Sequence, residues 1–257
     1  MKISVITPVL NCKRFLRQTI ESVLVQTGDF ELEYIIKDGG SDDGSQVILE
    51  EYAKHSSVTV ISKKDGSLYD AINQGFELAT GDIGCWINAD DFYDLGAFQK
   101  VVLGFKQHPE RQWLYGRCNI VDDVGSEIRA PITLYKNLIG WYYVYRMLLC
   151  ENYLNQPATF WKMDLWRKVG ALSTKYRIAA DYHLWLKFAQ KSKAIALHQN
   201  LAHFRRCGES ISDNQFQSQF KEELEIAKLY CGSITYALHQ LNYWKTITSY
   251  KLLSQIK

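Results

Sequence analysis

No proline-rich or low-complexity linker and no internal repeat interrupts the chain, which holds only four prolines in 257 residues. No CxxC pair occurs either. The six cysteines, at positions 12, 85, 118, 150, 207 and 231, are scattered. That spacing suits reduced, mostly buried thiols in a cytoplasm better than a disulfide framework or a zinc site. No apolar run approaches the roughly 20 residues that a membrane-spanning helix needs. The apolar stretch in MKISVITPVLNCKR is too short for a signal sequence and is interrupted by Pro8. A charge excess is missing too: 30 basic against 28 acidic residues leave a net +2, so no global field argues for a nucleic-acid partner. Neither a GxxxxGK loop nor a GxGxxG turn is present, which disfavours ATP cleavage and nicotinamide chemistry.

What is present is apolar residues, 47% of the chain, enough for one large domain with or without an appendage. The pattern alternates from the start. KISVIT (2–7) reads as a strand, and Asn11 is placed to cap a helix carrying Phe15, Leu16, Ile20, Val23 and Leu24 on one face. LEYIIK (32–37) is a second strand, followed by a helix through Val47, Ile48 and Tyr52 with Ser41 or Asp42 as its cap. VTVIS (58–62), a helix from Tyr69 to Thr80 stopped by Gly81, and IGCWI (83–87) continue the alternation. A helix from about Leu95 to His108 capped by Asp94, and a strand near Trp113 to Tyr115, complete a doubly wound α/β unit.

Open parallel sheets bind ligands beyond the carboxyl ends of their strands, and each strand here ends in a polar cluster. The first ends in Thr7, Pro8 and Asn11, the second in Asp38 to Asp42, the third in Lys63 to Asp65, and the fourth in Asn88, Asp90 and Asp91. Ser41 to Ser45 or Asp94, taken singly, read equally well as turn and cap chemistry. Beyond residue 115 the alternation gives way to a hairpin pattern, RCNIV then EIRAPI around Asp123 to Ser126, and to the aromatic segment LYKNLIGWYYVYRMLL (134–149). That segment is either a helix covering the sheet or a wall for a sugar or lipid acceptor. The expected organisation is a nucleotide-binding half (1–115), an acceptor half of the same domain (116–212) and a C-terminal helical extension (213–257).

The stretch GDIGCWINADDFYDLG (81–96) carries the chemistry. Adjacent acids raise each other's pKa unless a cation sits with them, so Asp90 and Asp91 either face water or hold a metal. Few, hard oxygen ligands suit Mg2+ or Mn2+, which keep waters and take phosphate oxygens from a substrate. Such a metal acts as a Lewis acid on a departing diphosphate.

Four segments together resemble the family 2 glycosyltransferases, inverting nucleotide-sugar enzymes of the GT-A fold: SVITPVLN (4–11), IIKDGGSDDGS (35–45), KDGSLYDAINQGFELATGDIGCWINADD (64–91) and AADYHLWLKF (179–188). The third resembles a subgroup met among polysaccharide and lipopolysaccharide assembly enzymes. The resemblance implies that Thr7, Pro8 and Asp38 line the base pocket, with Asp65 near the base or ribose. It places Asp90 at the metal position of an acidic signature whose first acid is here Asn88, left to contact a ribose hydroxyl. Asp91 is a second candidate metal ligand. Gly39 stands where the commonest pattern has a second Asp. An inverting transfer needs one carboxylate base, and Asp181 matches that acid, although an Asp near a helix start is equally an N-cap. His183 in the same segment reads as a surface or packing residue. QPATFW (156–161) and the basic loop FRRCGESIS (204–212) resemble acceptor-side segments, with Cys207 where many relatives have His. Arg205 is a candidate diphosphate contact; Arg205 and Arg206 read otherwise as a solvated pair.

Two helices are expected in the tail, about Gln215 to Tyr230 and Ile234 to Ser254. From Gly232 to Lys257 there are three lysines, Lys245, Lys251 and Lys257, no acid, and interleaved aromatics that include Tyr243, Trp244 and Tyr250. That helix packs on the domain, packs on a second copy in a homodimer, or lies on an anionic bilayer. The expected protein is a soluble, cytoplasmic, metal-dependent glycosyltransferase, peripheral on the inner membrane face if that helix binds lipid. Its donor is a UDP- or GDP-sugar and its acceptor a glycan or a lipid-linked molecule. The rivals are a non-catalytic nucleotide-sugar scaffold and a sugar-phosphate nucleotidylyltransferase, though the latter opens with a Gly-rich loop that TPVLNCK lacks.

Overall fold

Strands that are apolar on both faces need cover on both sides, and the fold of this chain is organised around that need. The structure, a computed structural model, describes residues 1–207 and 216–255. Its first half runs β1 (Lys2–Val9), α1 (Lys13–Leu24), β2 (Glu31–Asp38), α2 (Ser45–Tyr52), β3 (Val58–Ser62), α3 (Leu68–Leu78), β4 (Ile83–Trp86), β5 (Phe92–Tyr93) and α4 (Ala97–Gln107). Then follow β6 (Trp113–Val121), α5 (Ala130–Ile139), α6 (Tyr145–Cys150), a single 3₁₀ turn at Gln156–Ala158, β7 (Thr159–Lys162), α7 (Met163–Val169), α8 (Ala180–Ala189) and β8 (Ile195–Arg205). Two helices, α9 (Phe216–Lys228) and α10 (Ser233–Gln255), close the described chain.

The strands form one sheet in the order β3-β2-β1-β4-β7-β6-β8-β5. β1 pairs in parallel with β2 and β4, and β2 with β3, so the ends of the first four strands share one rim. The expected doubly wound unit does not close at residue 115, because β7 runs antiparallel between β4 and β6. The two halves of the chain are thereby interleaved in one sheet. Period-2 alternation divides the core: Ile3, Val5, Cys85, Leu114 and Phe160 face α1, α2 and α4, while Ile6, Trp86, Trp113 and Trp161 face α3, α7 and α8. On the second face Trp185 stacks on Trp86 and Trp113, with centroids 5.8 and 6.2 Å apart. Gly84 makes that packing possible. A Cβ there would stand 2.6 Å from Met163 Sδ and 2.9 Å from Trp161 Nε1.

The expected helix caps are corrected: the Asn11, Ser41 and Asp94 side chains have partners elsewhere, and Asp42 lies ahead of the start of its helix. Asn11 does not cap α1; it adopts a left-handed φ of 52° and its Oδ1 accepts from the Asp42 amide. The start of α1 is instead tied to the following loop, with the amides of Asn11, Cys12 and Lys13 donating to Ser41 Oγ, Ser45 Oγ and Asp43 Oδ2. Neither Ser41 nor Asp42 caps α2, which begins after Gly44 at φ 93°. Asp94 does not cap α4, since its carboxylate takes His203 Nε2 at 2.8 Å and Asn200 Nδ2 at 2.9 Å. The hairpin after residue 116 shrinks to one bridge, Val121 with Glu127; Pro131 in the first turn of α5 turns the rest into helix. The aromatic segment forms two short helices, α5 and α6, rather than one.

Among the described residues no helix is long and apolar enough to cross a membrane. α10 packs one face on the domain through Ile247 and His239, whose Nδ1 donates to the Leu149 carbonyl. Its other face exposes Ile234, Leu238, Leu241 and Trp244. The side chains of Tyr250, Lys251 and Lys257, and the loop from Gly208 to Ser212, lie outside the described residues.

Candidate active site

The shared rim opens onto a cavity of about 1210 Å³. That exceeds the roughly 300–1,000 Å³ typical of a site for one small ligand, so it has room for two reacting partners. One wall comes from the ends of β1, β3 and β4, with Pro8, Asn11, Asp65, Asn88 and Asp90. Further lining comes from Lys136 on α5, Gln156, Asp181 at the start of α8, Glu223 on α9 and His239 on α10.

Thr7 and Asp38 are fully buried beneath the first wall and do not line it. Thr7 Oγ1 lies 3.0 Å from Tyr34 Oη. Asp38 Oδ1 accepts from the amide and hydroxyl of Ser41, at 3.0 and 2.6 Å, and its Oδ2 has no hydrogen-bond partner among the described residues. Beside it the buried Lys37 ammonium donates to the carbonyls of Asp38 and Lys63 and reaches Asp65 Oδ2 at 3.4 Å. Lys37 thus aims the Asp65 carboxylate. Gly39 is explained by the same carboxylate: a Cβ at position 39 would stand 2.8 Å from Asp65 Oδ2.

The doubled acid divides its labour. Asp90 and Asn88 line the cavity, and Asn88 Oδ1 has no hydrogen-bond partner among the described residues. Asp91 does not reach the wall: it is 0% exposed, and its Oδ1 accepts from the Arg205 amide at 2.8 Å. Burial, with the Asp90 charge beside it, pushes its carboxyl well above the usual range. Asp91 as a metal ligand is therefore corrected to a buried brace. Arg205 is corrected likewise, and so is its reading as half of a solvated pair. At 1% exposure its guanidinium donates to the carbonyls of Asp90, Asp122 and Asp123 and to Gln18 Oε1, over the Phe15 ring at 4.4 Å. Arg206 lines the cavity in its place, with Cys12 and Cys207 nearby. The Cys12 thiol is pushed up to about 12, by burial and then by the Asp90 charge. All six cysteines are free.

Asp181 sits in the first turn of α8 but makes no cap; the helix has no side-chain cap bond, and its capping residue is Ala179. The amides of Arg177, Ile178 and Ala179 donate to the Glu222 carboxylate, each at 3.0 Å, which leaves Asp181 to the cavity. Tyr69 fixes the same turn, donating to the Ile178 carbonyl and accepting from the Ala180 amide. Burial raises the Asp181 carboxyl to about 6, against the opposing pull of the Tyr182 amide and the Lys136 charge. Glu223 is pushed to about 7, by burial first and the Asp181 charge second. His183 packs between Tyr176 and Tyr230, and burial lowers its imidazole to about 4.

Sequence reasoning missed Glu222, Glu223, Asn152 and Lys136. A signal existed for one of them: Glu223 lies one turn before Ile226 and Ala227, on the apolar stripe of its helix. A carboxylate on a buried stripe needs partners.

Residues 4–163 match the family described as Glycosyl transferase family 2. The chain is 30% identical over 183 residues to a PGL/p-HBAD biosynthesis glycosyltransferase of Mycobacterium bovis (strain BCG / Pasteur 1173P2), covering 70% of this chain and 66% of that one. It is 25% identical over 189 residues to chondroitin synthase of Escherichia coli, 73% of this chain but 26% of the relative. The chain thus spans just under two thirds of the first relative and about a quarter of the second. S. aureus TarS 1-349 in complex with UDP-GlcNAc superposes with a TM-score of 0.68 at 16% identity, over 88% of this chain and 66% of that one. Mannosyltransferase PcManGT from Pyrobaculum calidifontis, in complex with GDP-Man and Mn2+, gives 0.68 at 15%, over 94% and 69%. These two likenesses concern the fold, a mostly parallel sheet flanked by helices of the GT-A kind. With the family match extending over more than half its length, the chain belongs to glycosyl transferase family 2.

Proposed function

We propose that this protein is an inverting glycosyltransferase that moves a sugar from a UDP- or GDP-linked donor to a hydroxyl of a glycan or lipid-linked acceptor. The observation that carries this reading is that Asp181 and Asp90 line one cavity, with the Asp181 carboxyl at about 6. A base of that pKa is about ten-to-one ionised at pH 7 yet more basic than an ordinary carboxylate. Asp181 takes the proton of the acceptor hydroxyl as its oxygen bonds to the anomeric carbon. The bond to the nucleoside diphosphate breaks on the opposite face, which inverts the centre. Donor complexes of the two structural neighbours, with UDP-GlcNAc and with GDP-Man, support a nucleotide-sugar at the β1–β4 rim. The first relative, a biosynthetic glycosyltransferase by its name, supports a role in polysaccharide or lipopolysaccharide biosynthesis.

In this reading residues 1–115 hold the donor, 116–212 most of the acceptor side, and 213–257 complete that side. Pro8, Asp65 and Asn88 contact the nucleoside, with Thr7 and Asp38 backing the pocket from below. A divalent cation fits the residues present. Asp90 and the Asn88 oxygen, which has no partner among the described residues, are hard donors on the wall, and the described residues hold no group of three or more His, Cys, Asp or Glu that could hold a metal. Asp90 would therefore hold Mn2+ or Mg2+ together with diphosphate oxygens and water. When bound, the ion neutralises charge on the leaving diphosphate. Calorimetric titration of UDP and GDP, with and without Mn2+, tests this on the native chain and on Asp90→Ala. The expected result is one nucleotide bound in a metal-dependent way that the substitution abolishes. Binding indifferent to both metal and Asp90 would sink the donor site.

A further inference from the structure

The tail helices place polar side chains in the cavity that the transfer chemistry leaves without a role. Glu223 is 3% exposed and lines the same cavity as Asp181. Its Oε1 accepts from Asn152 Nδ2 at 3.2 Å and from Gln219 Nε2 at 3.1 Å. No described hydrogen bond uses its Oε2. Two more cavity residues carry oxygens without partners among the described residues, Asn152 Oδ1 and Gln156 Oε1, while their amide nitrogens are held by Glu223 and the Trp86 carbonyl. Buried polar atoms are ordinarily satisfied, and orphans gathered in one place call for a ligand.

Resting on the transferase reading above, we propose that Glu223 and Asn152 form an acceptor subsite for the hydroxyls next to the one that Asp181 deprotonates, so that the reacting end of the acceptor is a sugar ring. A carboxylate fixed through one oxygen offers the other to a hydroxyl donor, and an amide oxygen accepts a second. Tyr135 and Tyr243 add flat apolar faces to the same cavity, suited to the C–H face of a ring. A simple lipid alcohol presents one hydroxyl and leaves these acceptors unmet. The subsite also accounts for the seating of α9, whose Glu222 holds the Asp181 turn while Glu223 enters the cavity.

Saturation-transfer NMR on the full chain, loaded with UDP or GDP, tests this with the methyl glycosides of glucose, galactose and N-acetylglucosamine, and with 1-octanol as the single-hydroxyl probe. At least one glycoside is expected to bind, and to bind about tenfold more weakly or worse in Glu223→Ala, as fits loss of a charged hydrogen bond. Asn152→Ala, a milder change at a partly exposed position, is expected to weaken the same glycoside. The proposal is overturned if no glycoside binds the nucleotide-loaded chain, if octanol binds as well as the best glycoside, or if both variants bind glycoside as the native chain does. Failure of the native chain to take up either nucleotide is a different result, and it refutes the donor site.

Discussion

Arg205→Ala separates two roles that the sequence leaves merged. As a diphosphate contact, Arg205 would contribute to binding and little to stability. In the structure its guanidinium is enclosed and joins the Asp90 turn to the Asp122–Asp123 turn. Truncation removes a donor from three main-chain carbonyls, of which Asp122 keeps the Gly125 amide at 3.2 Å, at about 1–3 kcal/mol for each carbonyl left unmet where water cannot reach it. Water entering the vacated space relieves part of this, which puts the loss near about 3–5 kcal/mol. That is a large share of the roughly 5–15 kcal/mol that holds a typical domain together. At about 2–4 °C per kcal/mol for a chain near this size, melting should fall by about 6–20 °C. Urea unfolding of the native chain and of Arg205→Ala measures the loss directly, and nucleotide titration below the transition reports the site. A variant as stable as the native chain but unable to bind nucleotide would refute the structural role and restore the diphosphate contact.

Three further outcomes follow from the site. Asp181→Asn should lower turnover by about 10²–10⁴-fold with nucleotide binding retained, and native turnover should fall about tenfold per unit as pH drops below about 6, where the base becomes protonated; a variant with native turnover removes Asp181 from the chemistry. The raised Glu223 carboxyl, at about 7 where a free glutamate has 4.5, stabilises the fold fully below pH 4.5 and loses that contribution as pH rises through 7. Urea unfolding should therefore show Glu223→Gln losing less stability than the native chain between pH 5 and 8, by on the order of 2–3 kcal/mol, and equal slopes would contradict the burial argument. Gly39→Ala should push Asp65 off Lys37, weakening nucleotide binding several-fold at a stability cost on the order of 1 kcal/mol. Calorimetry of Gly39→Ala in an Asp65→Ala background should show no further loss.

Much of the site was legible because local pattern and chemistry coincide along the first four strands. Alternating apolar residues placed β1 to β4, and the polar clusters that end them had to fall on one rim once the pairing was parallel. The acid-to-base separation along the chain was legible only through resemblance, since nothing in residues 91–180 says that α8 returns to β4. The caps misled for one reason: Asn11, Ser41 and Asp94 have the right residue type near a helix start, but each side chain is engaged by a distant or loop partner that a local rule does not see.

The sequence by itself determined the alternation of β1 to β4 with their helices, the family, and which acids end the fourth strand, because these depend on periodicity and on motifs contiguous in the chain. Only the tertiary structure decided which of two adjacent acids serves the cavity. The turn after β4 points Asp90 outward and Asp91 toward the Arg205 amide, and no periodicity extends through a turn. It likewise decided that Arg205 is a strut, that β7 is threaded between β4 and β6, and that Glu222 and Glu223 of α9 complete the surroundings of Asp181. Those choices follow from contacts between residues 40 to more than 100 positions apart, whose energies belong to the packed chain and to no segment of it.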